Sequence, residues 1–216
     1  MRKFILILFS ISLFSCKNEK EKSEKNTNTN IQNEKIPVAS KIQNPKSELE
    51  NEIIKLLKAF KTKDEKTLNS YIDTNIGFYL IPGPGTLLNF KKTDEISFSD
   101  ANVSYHKFGS NETHNYKPIY ENPPTYDCET NKWSKEGLFI DKERVDIFTS
   151  IVENPLNKEY DISFSKDEVA EIKQMEKIST QVYLTEKDGD IVFGIAKYNG
   201  KYIITFLNFS PSYCDV

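Results

Sequence analysis

Arginine is almost missing from this chain. Of its 29 basic residues only Arg2 and Arg144 are arginine. A nucleic-acid reader carries a basic face with bidentate arginines, so a nucleic-acid partner is not expected. Histidine is as scarce, with only His106 and His114, and there are three cysteines. No HExxH, CxxC or HxH spacing occurs, so neither a metal nor a cofactor is expected. Apolar runs are short too. The longest, residues 4–14, has 11 residues and is broken by Ser10 and Ser12. A spanning helix needs about 20, so none is expected. What the chain does have is aromatic residues. Its 216 residues include 14 Phe, 11 Tyr and 1 Trp, and the hydrophobic set makes up 38%. That is too aromatic for a disordered protein and too polar for a membrane bundle.

The N-terminus reads as an export signal. Met1-Arg2-Lys3 is a short positive region, and residues 4–14 (FILILFSISLF) are its apolar stretch. Leu13-Phe14-Ser15-Cys16 follows at once. This box resembles the lipobox of bacterial lipoproteins, with Leu at −3, a small residue at −1 and then Cys. Phe14 at −2 departs from the usual small or β-branched residue. The resemblance implies cleavage after Ser15 and acylation of Cys16 by chains such as palmitate. Each buried CH₂ contributes about 0.8 kcal/mol, so two or three chains hold a protein on a membrane. The alternative is an ordinary secretory signal with an incidental Cys. A box ending in Cys directly before a charged tract argues against it.

Cleavage removes Arg2 and Lys3, leaving 27 basic and 32 acidic residues and a charge of −5. An anionic leaflet repels that weakly, so the acyl chains must supply the attachment. The expected location is the cell envelope, on the outer membrane, with the periplasmic and surface faces both open. Lys17-Asn18-Glu19 loosely resembles the signals that export some lipoproteins to the surface, but the favoured reading is generic charged linker.

Residues 17–46 contain no aromatic residue and no Leu or Met. Such a stretch buries too little apolar area to offset its ordering entropy, and the expectation is a disordered tether. With 30 residues its r.m.s. reach is about 30 Å. The domain plan is therefore a signal peptide (1–15), the lipidated Cys with its tether (16–46), and one α+β domain (47–216), expected to be monomeric.

In the body, Ser47-Glu48-Leu49-Glu50 has the form of a capping box. Leu49, Ile53, Leu56, Leu57 and Phe60 then mark one face of a helix. Asp64 is placed to cap a second helix carrying Leu68, Tyr71 and Ile72. Strands are predicted at 77–81, 95–99 and 103–108. Asp141 is a candidate N-cap, with Ile140 and Val145 as a hydrophobic staple, for a helix carrying Phe148, Ile151 and Val152. Ser165-Lys166-Asp167-Glu168 is a second capping box. The last 37 residues read as three strands, with Asn199-Gly200 as a two-residue type I′ hairpin turn. Residues 201–209 are apolar on both faces, as a central strand would be.

The expected fold is α+β, with N-terminal helices packed on a curved antiparallel sheet that ends in a three-stranded meander. The segment Ala59-Phe60-Lys61-Thr62-Lys63-Asp64-Glu65-Lys66-Thr67-Leu68 resembles the opening helices of nuclear transport factor two-like domains. The resemblance covers about 45 residues at the two ends of the body and implies a cone with a cavity. Residues 109–179 depart from that family by a long loop and two helices.

Few residues are marked for chemistry. With Cys16 lipidated, Cys128 and Cys214 are an even pair in an exported protein, and a disulfide is expected. Tyr116, Tyr120, Tyr126 and Trp133 fall in one Pro-rich loop; exposed, they are the candidate binding residues, and buried, the favoured reading, they are the loop's own small core. Pro82-Gly83-Pro84-Gly85-Thr86 lacks the GK[ST] of a phosphate loop, and Asp188-Gly189-Asp190 lacks the ligand spacing of a calcium loop. Glu112, Asp127, Asp141, Glu143 and Asp146 are available as acids or bases, but nothing in the sequence pairs them. Two functions are compatible with this. One is an envelope lipoprotein whose small non-enzymatic domain binds a small molecule or a protein. The other is an envelope enzyme using His106, Tyr105 or an aspartate in a cone-like pocket.

Overall fold

The computed structural model describes residues 45–83, 89–109, 116–141, 143, 146–212 and 214. The signal peptide, Cys16 and the tether up to residue 44 lie outside the described residues. So do residues 84–86, Glu112, His114 and Val145.

The chain opens with helices α1 (Pro45–Lys61) and α2 (Glu65–Asn69), then strands β1 (Phe78–Ile81) and β2 (Lys91–Thr93). A one-turn helix α3 (Ala101–Ser104) precedes β3 (Ile119–Tyr120), β4 (Tyr126–Asp127), β5 (Lys132–Trp133) and β6 (Gly137–Ile140). Helix α4 (Ile147–Val152), a 3-10 turn (Pro155–Lys158) and α5 (Lys166–Ile178) follow. Strands β7 (Thr180–Glu186), β8 (Gly189–Tyr198) and β9 (Lys201–Asn208) close the chain.

The fold is α+β. Seven strands form one sheet in the order β2-β1-β9-β8-β7-β6-β3, and β4 and β5 form a separate hairpin. The meander β7-β8-β9 is antiparallel throughout. Asn199 and Gly200 join β8 to β9 with φ of 47° and 79°, the two left-handed residues of a type I′ turn. The sheet as a whole is mixed rather than purely antiparallel, because β1 pairs with β9 and β3 with β6 in parallel. No tight turn joins either pair, so nothing local dictates their direction.

Both faces of the sheet are covered. Ile53, Leu56, Phe60 and Leu68 of α1 and α2 pack on Phe78, Leu80, Val182, Leu184, Ile191, Phe193 and Ile195. On the other face Phe148 and Ile151 of α4 and Ile172 and Met175 of α5 meet Tyr79, Ile81 and Phe206. Strand β9 lies between β1 and β8, as its two apolar faces predict. Simple alternation would put Ile204 and Phe206 on one face. Instead the β8–β9 register shifts at Gly194/Ile195, so that Ile204 opposes Ile195 and Phe206 opposes Gly194. The extra residue, Thr205, turns Phe206 to the α4–α5 side. A Cβ on Gly194 would sit 2.2 Å from Cε1 of Phe206, so the bulge works only with glycine there.

Local signals held where a side chain satisfies its own helix. Asp64 accepts from the Thr67 N–H, and Ser165 with Glu168 forms the full capping box. Three expectations are corrected. Helix α1 begins at Pro45, so Ser47 lies inside its first turn rather than capping it. Proline suits that position because its missing N–H is unneeded there. The helix expected after Asp141 begins at Ile147, after Asp146. Ile140 pairs with Val182 and the Asp141 N–H donates to the Gln181 carbonyl, so the position read as a cap is still hydrogen-bonded to β7. Residues 95–99 and 103–108 are not strands. The amide of Asn69 takes the place of a neighbouring strand: its Oδ1 accepts from the Ile96 N–H at 2.7 Å, and its Nδ2 donates to the Ile96 carbonyl at 3.0 Å. The Phe98 N–H donates to Glu65, and Asp100 caps α3 at Asn102.

Candidate functional site

Four segments meet at the end of the sheet where β7 turns into β8. They are the chain leaving α3, the β4–β5 hairpin, the β7–β8 turn, and the C-terminal tail. Between them lies a cleft of about 790 Å³, lined by His106, Tyr126, Trp133, Asp188, Asp190 and Ser212 among others.

His106 and Asp190 form its floor. The segment after α3 is held along the turn by an isolated bridge between Phe108 and Gly189 and by the Asp190 N–H donating to the Lys107 carbonyl. This brings His106 Nε2 to 2.8 Å from the Asp190 carbonyl oxygen and 3.6 Å from Oδ1 of its carboxyl. A carbonyl only accepts, so Nε2 carries the proton. The imidazole stacks on Phe209 at 4.2 Å and meets Phe108 edge-on. Burial in this aromatic nest pushes the His106 pKa down to about 4, and the ring is neutral at pH 7. Burial pushes Asp190 the other way, up to about 7, against the hydrogen bond its Oδ1 accepts from Ser212 at 2.9 Å. Its Oδ2 is buried and has no partner among the described residues.

Tyr126 and Trp133 form one wall. They face each other across the β4–β5 hairpin, with rings edge-to-face at 5.3 Å and 72°. Both are half-buried. The turn of this hairpin is covalently held. Cys128 is bonded to Cys214, with Cα atoms 5.7 Å apart, two residues beyond Ser212. The aromatic wall and the Asp190 floor are therefore tied to the same short tail.

A second lobe of about 350 Å³ shares Glu136, Lys187 and Asp188 with the first and contains Tyr116 and Glu186. Lys61, at the end of α1, bonds from the interior to Glu186 and Tyr116 of this lobe. Its Nζ donates to Glu186 at 2.7 Å and to the Tyr116 hydroxyl at 2.7 Å, and Tyr116 also donates to Glu186. The Lys61 side chain is 1% exposed.

The four aromatic residues expected to act as one group are thus divided. Tyr116, Tyr126 and Trp133 border the two lobes. Tyr120 is elsewhere, beside the start of α1, where its hydroxyl donates to Glu50 and Lys46 covers its ring. Tyr105 projects into solvent at the cleft mouth, 82% exposed. Asp127 is spent on Thr130, and Asp141 accepts from the Glu143 N–H. Asp190 and the Lys61–Glu186 pair carried no signal beyond an ordinary turn and an ordinary helix end. Only their burial marks them. Among the described residues no group of three or more His, Cys, Asp or Glu is placed to hold a metal, and no helix is long and apolar enough to cross a membrane.

No protein-family model matches this chain, no curated protein matches its sequence and no solved structure matches its fold.

Proposed function

We propose that this chain is a lipid-anchored protein of a bacterial cell envelope whose α+β body binds a polar ligand in the cleft beside the β7–β8 turn. The observation that carries the binding half is the joining of the Tyr126–Trp133 wall to the Asp190 floor through Cys128–Cys214 and Ser212. A site whose walls are fixed in advance loses little freedom on binding. The anchoring half rests on Leu13-Phe14-Ser15-Cys16 after an 11-residue apolar run. A kinship with nuclear transport factor two-like domains belongs to the same proposal and rests on residues 59–68 and the closing meander.

One observation favours an enzyme as the second reading. A carboxyl raised to about 7 beside a neutral imidazole is the form an acid–base pair takes. Against it, both side chains are 3% exposed and His106 Nε2 is committed to a main-chain carbonyl. Binding without turnover accounts for the geometry with fewer assumptions.

Anchoring is tested by metabolic labelling with a clickable fatty acid. Wild type incorporates label and Cys16→Ser does not; equal label on both removes the anchor. Binding is read by the emission of Trp133, the single tryptophan of the chain. A polar small-molecule extract of the native envelope gives a saturable change, and Tyr126→Ala weakens it. Emission unaltered at every concentration removes the cleft from the proposal.

A further inference from the structure

We infer that the cleft's ligand is a neutral carbohydrate, a short oligosaccharide with one pyranose ring against the Tyr126–Trp133 corner; this rests on the reading of the cleft as a binding site. Two rings at 72° make a corner, so a flat ligand face stacks on one ring while its edge meets the other. The face of an aromatic ring is electronegative and attracts weakly positive edges such as the axial C–H groups of a sugar.

The charges select against other ligand classes. Lys107, Lys132 and Lys187 line the same cleft as Glu136, Asp188 and the partly ionised Asp190, so charges of the two signs nearly balance. Such a mixed lining has too small a net field to collect a polyanion or a polycation. It does offer donors and acceptors side by side, and a hydroxyl both donates and accepts. An aliphatic ligand would strand these groups without partners. A sugar hydroxyl meets such groups without bringing a charge of its own. The volume, about 790 Å³, lies in the range of about 300–1,000 Å³ usual for sites of small organic ligands.

The test uses the full lipidated chain in a detergent without a sugar headgroup, with Trp133 emission as readout. The probes are maltohexaose, cellohexaose and the fully N-acetylated chitin hexamer, with spermine and a heparin hexasaccharide as charged comparisons. The expected result is a saturable change with at least one neutral hexasaccharide. Tyr126→Ala then weakens that binding by about tenfold, and Tyr120→Ala, on β3 outside the cleft, leaves it as in wild type. No response to any neutral hexasaccharide overturns the inference, as does equal affinity in Tyr126→Ala with its melting temperature unchanged. If the envelope extract or a charged probe moves Trp133 while the neutral sugars do not, the carbohydrate assignment fails and the cleft reading stands. If nothing moves it, both fail.

Discussion

His106 Nε2 lies 2.8 Å from the main-chain oxygen of Asp190, 84 residues further along the chain. The contact seats two buried titratable groups side by side, and burial drives them in opposite directions. His106 falls to about 4, below its ordinary 6.5, so its contribution to stability is present above pH 6.5 and is lost as pH falls towards 4. Asp190 rises to about 7 from 3.8, so its contribution is present below about pH 4 and is lost as pH rises through 7. Between these limits the two trends oppose each other, and above pH 7 only the cost of a buried carboxylate remains.

Asp190→Asn removes that cost and keeps an acceptor for Ser212. We expect it to raise the melting temperature at pH 8 by on the order of 5 °C and to raise it by well under half as much at pH 5. Thermal unfolding of both proteins at the two pH values checks this. An equal shift at pH 5 and pH 8 rules out titration of Asp190 as the cause.

Cys128–Cys214 closes a separation of 86 residues. By the chain-entropy account such a loop is worth about 4–5 kcal/mol, less any strain. Cys128→Ser and Cys214→Ser are each expected to lower the melting temperature by about 10 °C, and the double variant to be no worse than either single one. Two free thiols titrated in denaturant without reductant, on wild-type protein from the envelope, would contradict the bond.

Lys61 and Glu186 pair where little water reaches, with side chains 1% and 14% exposed. Removing one partner leaves the other charge buried alone. Lys61→Met is expected to cost about 3–5 kcal/mol, and Lys61→Met with Glu186→Gln to recover most of it. Urea unfolding of the single and double variants measures the coupling. Additive losses would show that the two side chains act independently.

Whatever is decided within a few residues can be read from the amino-acid string. Asp64 and Ser165 reach only to their own helix amides, and Asn199-Gly200 needs only its own left-handed φ values, so these features are written in the local string. The Cys128–Cys214 bond was legible for another reason: once Cys16 is set aside, two cysteines allow one pairing. Tertiary structure alone decided the rest. Residues 95–99 have strand composition, yet Asn69 supplies their hydrogen bonds from a helix, which no periodicity records. The bulge at Thr205 turns Phe206 away from Ile204 because Gly194 leaves room for its ring. Tyr120 parts from Tyr126 and Trp133 because β3 pairs with β6 while β4 pairs only with β5. His106 meets Asp190 only because α3 delivers it to the β7–β8 turn. The pKa shifts that make this pair conspicuous come from burial among Phe108 and Phe209, a property of the packed interior rather than of either residue.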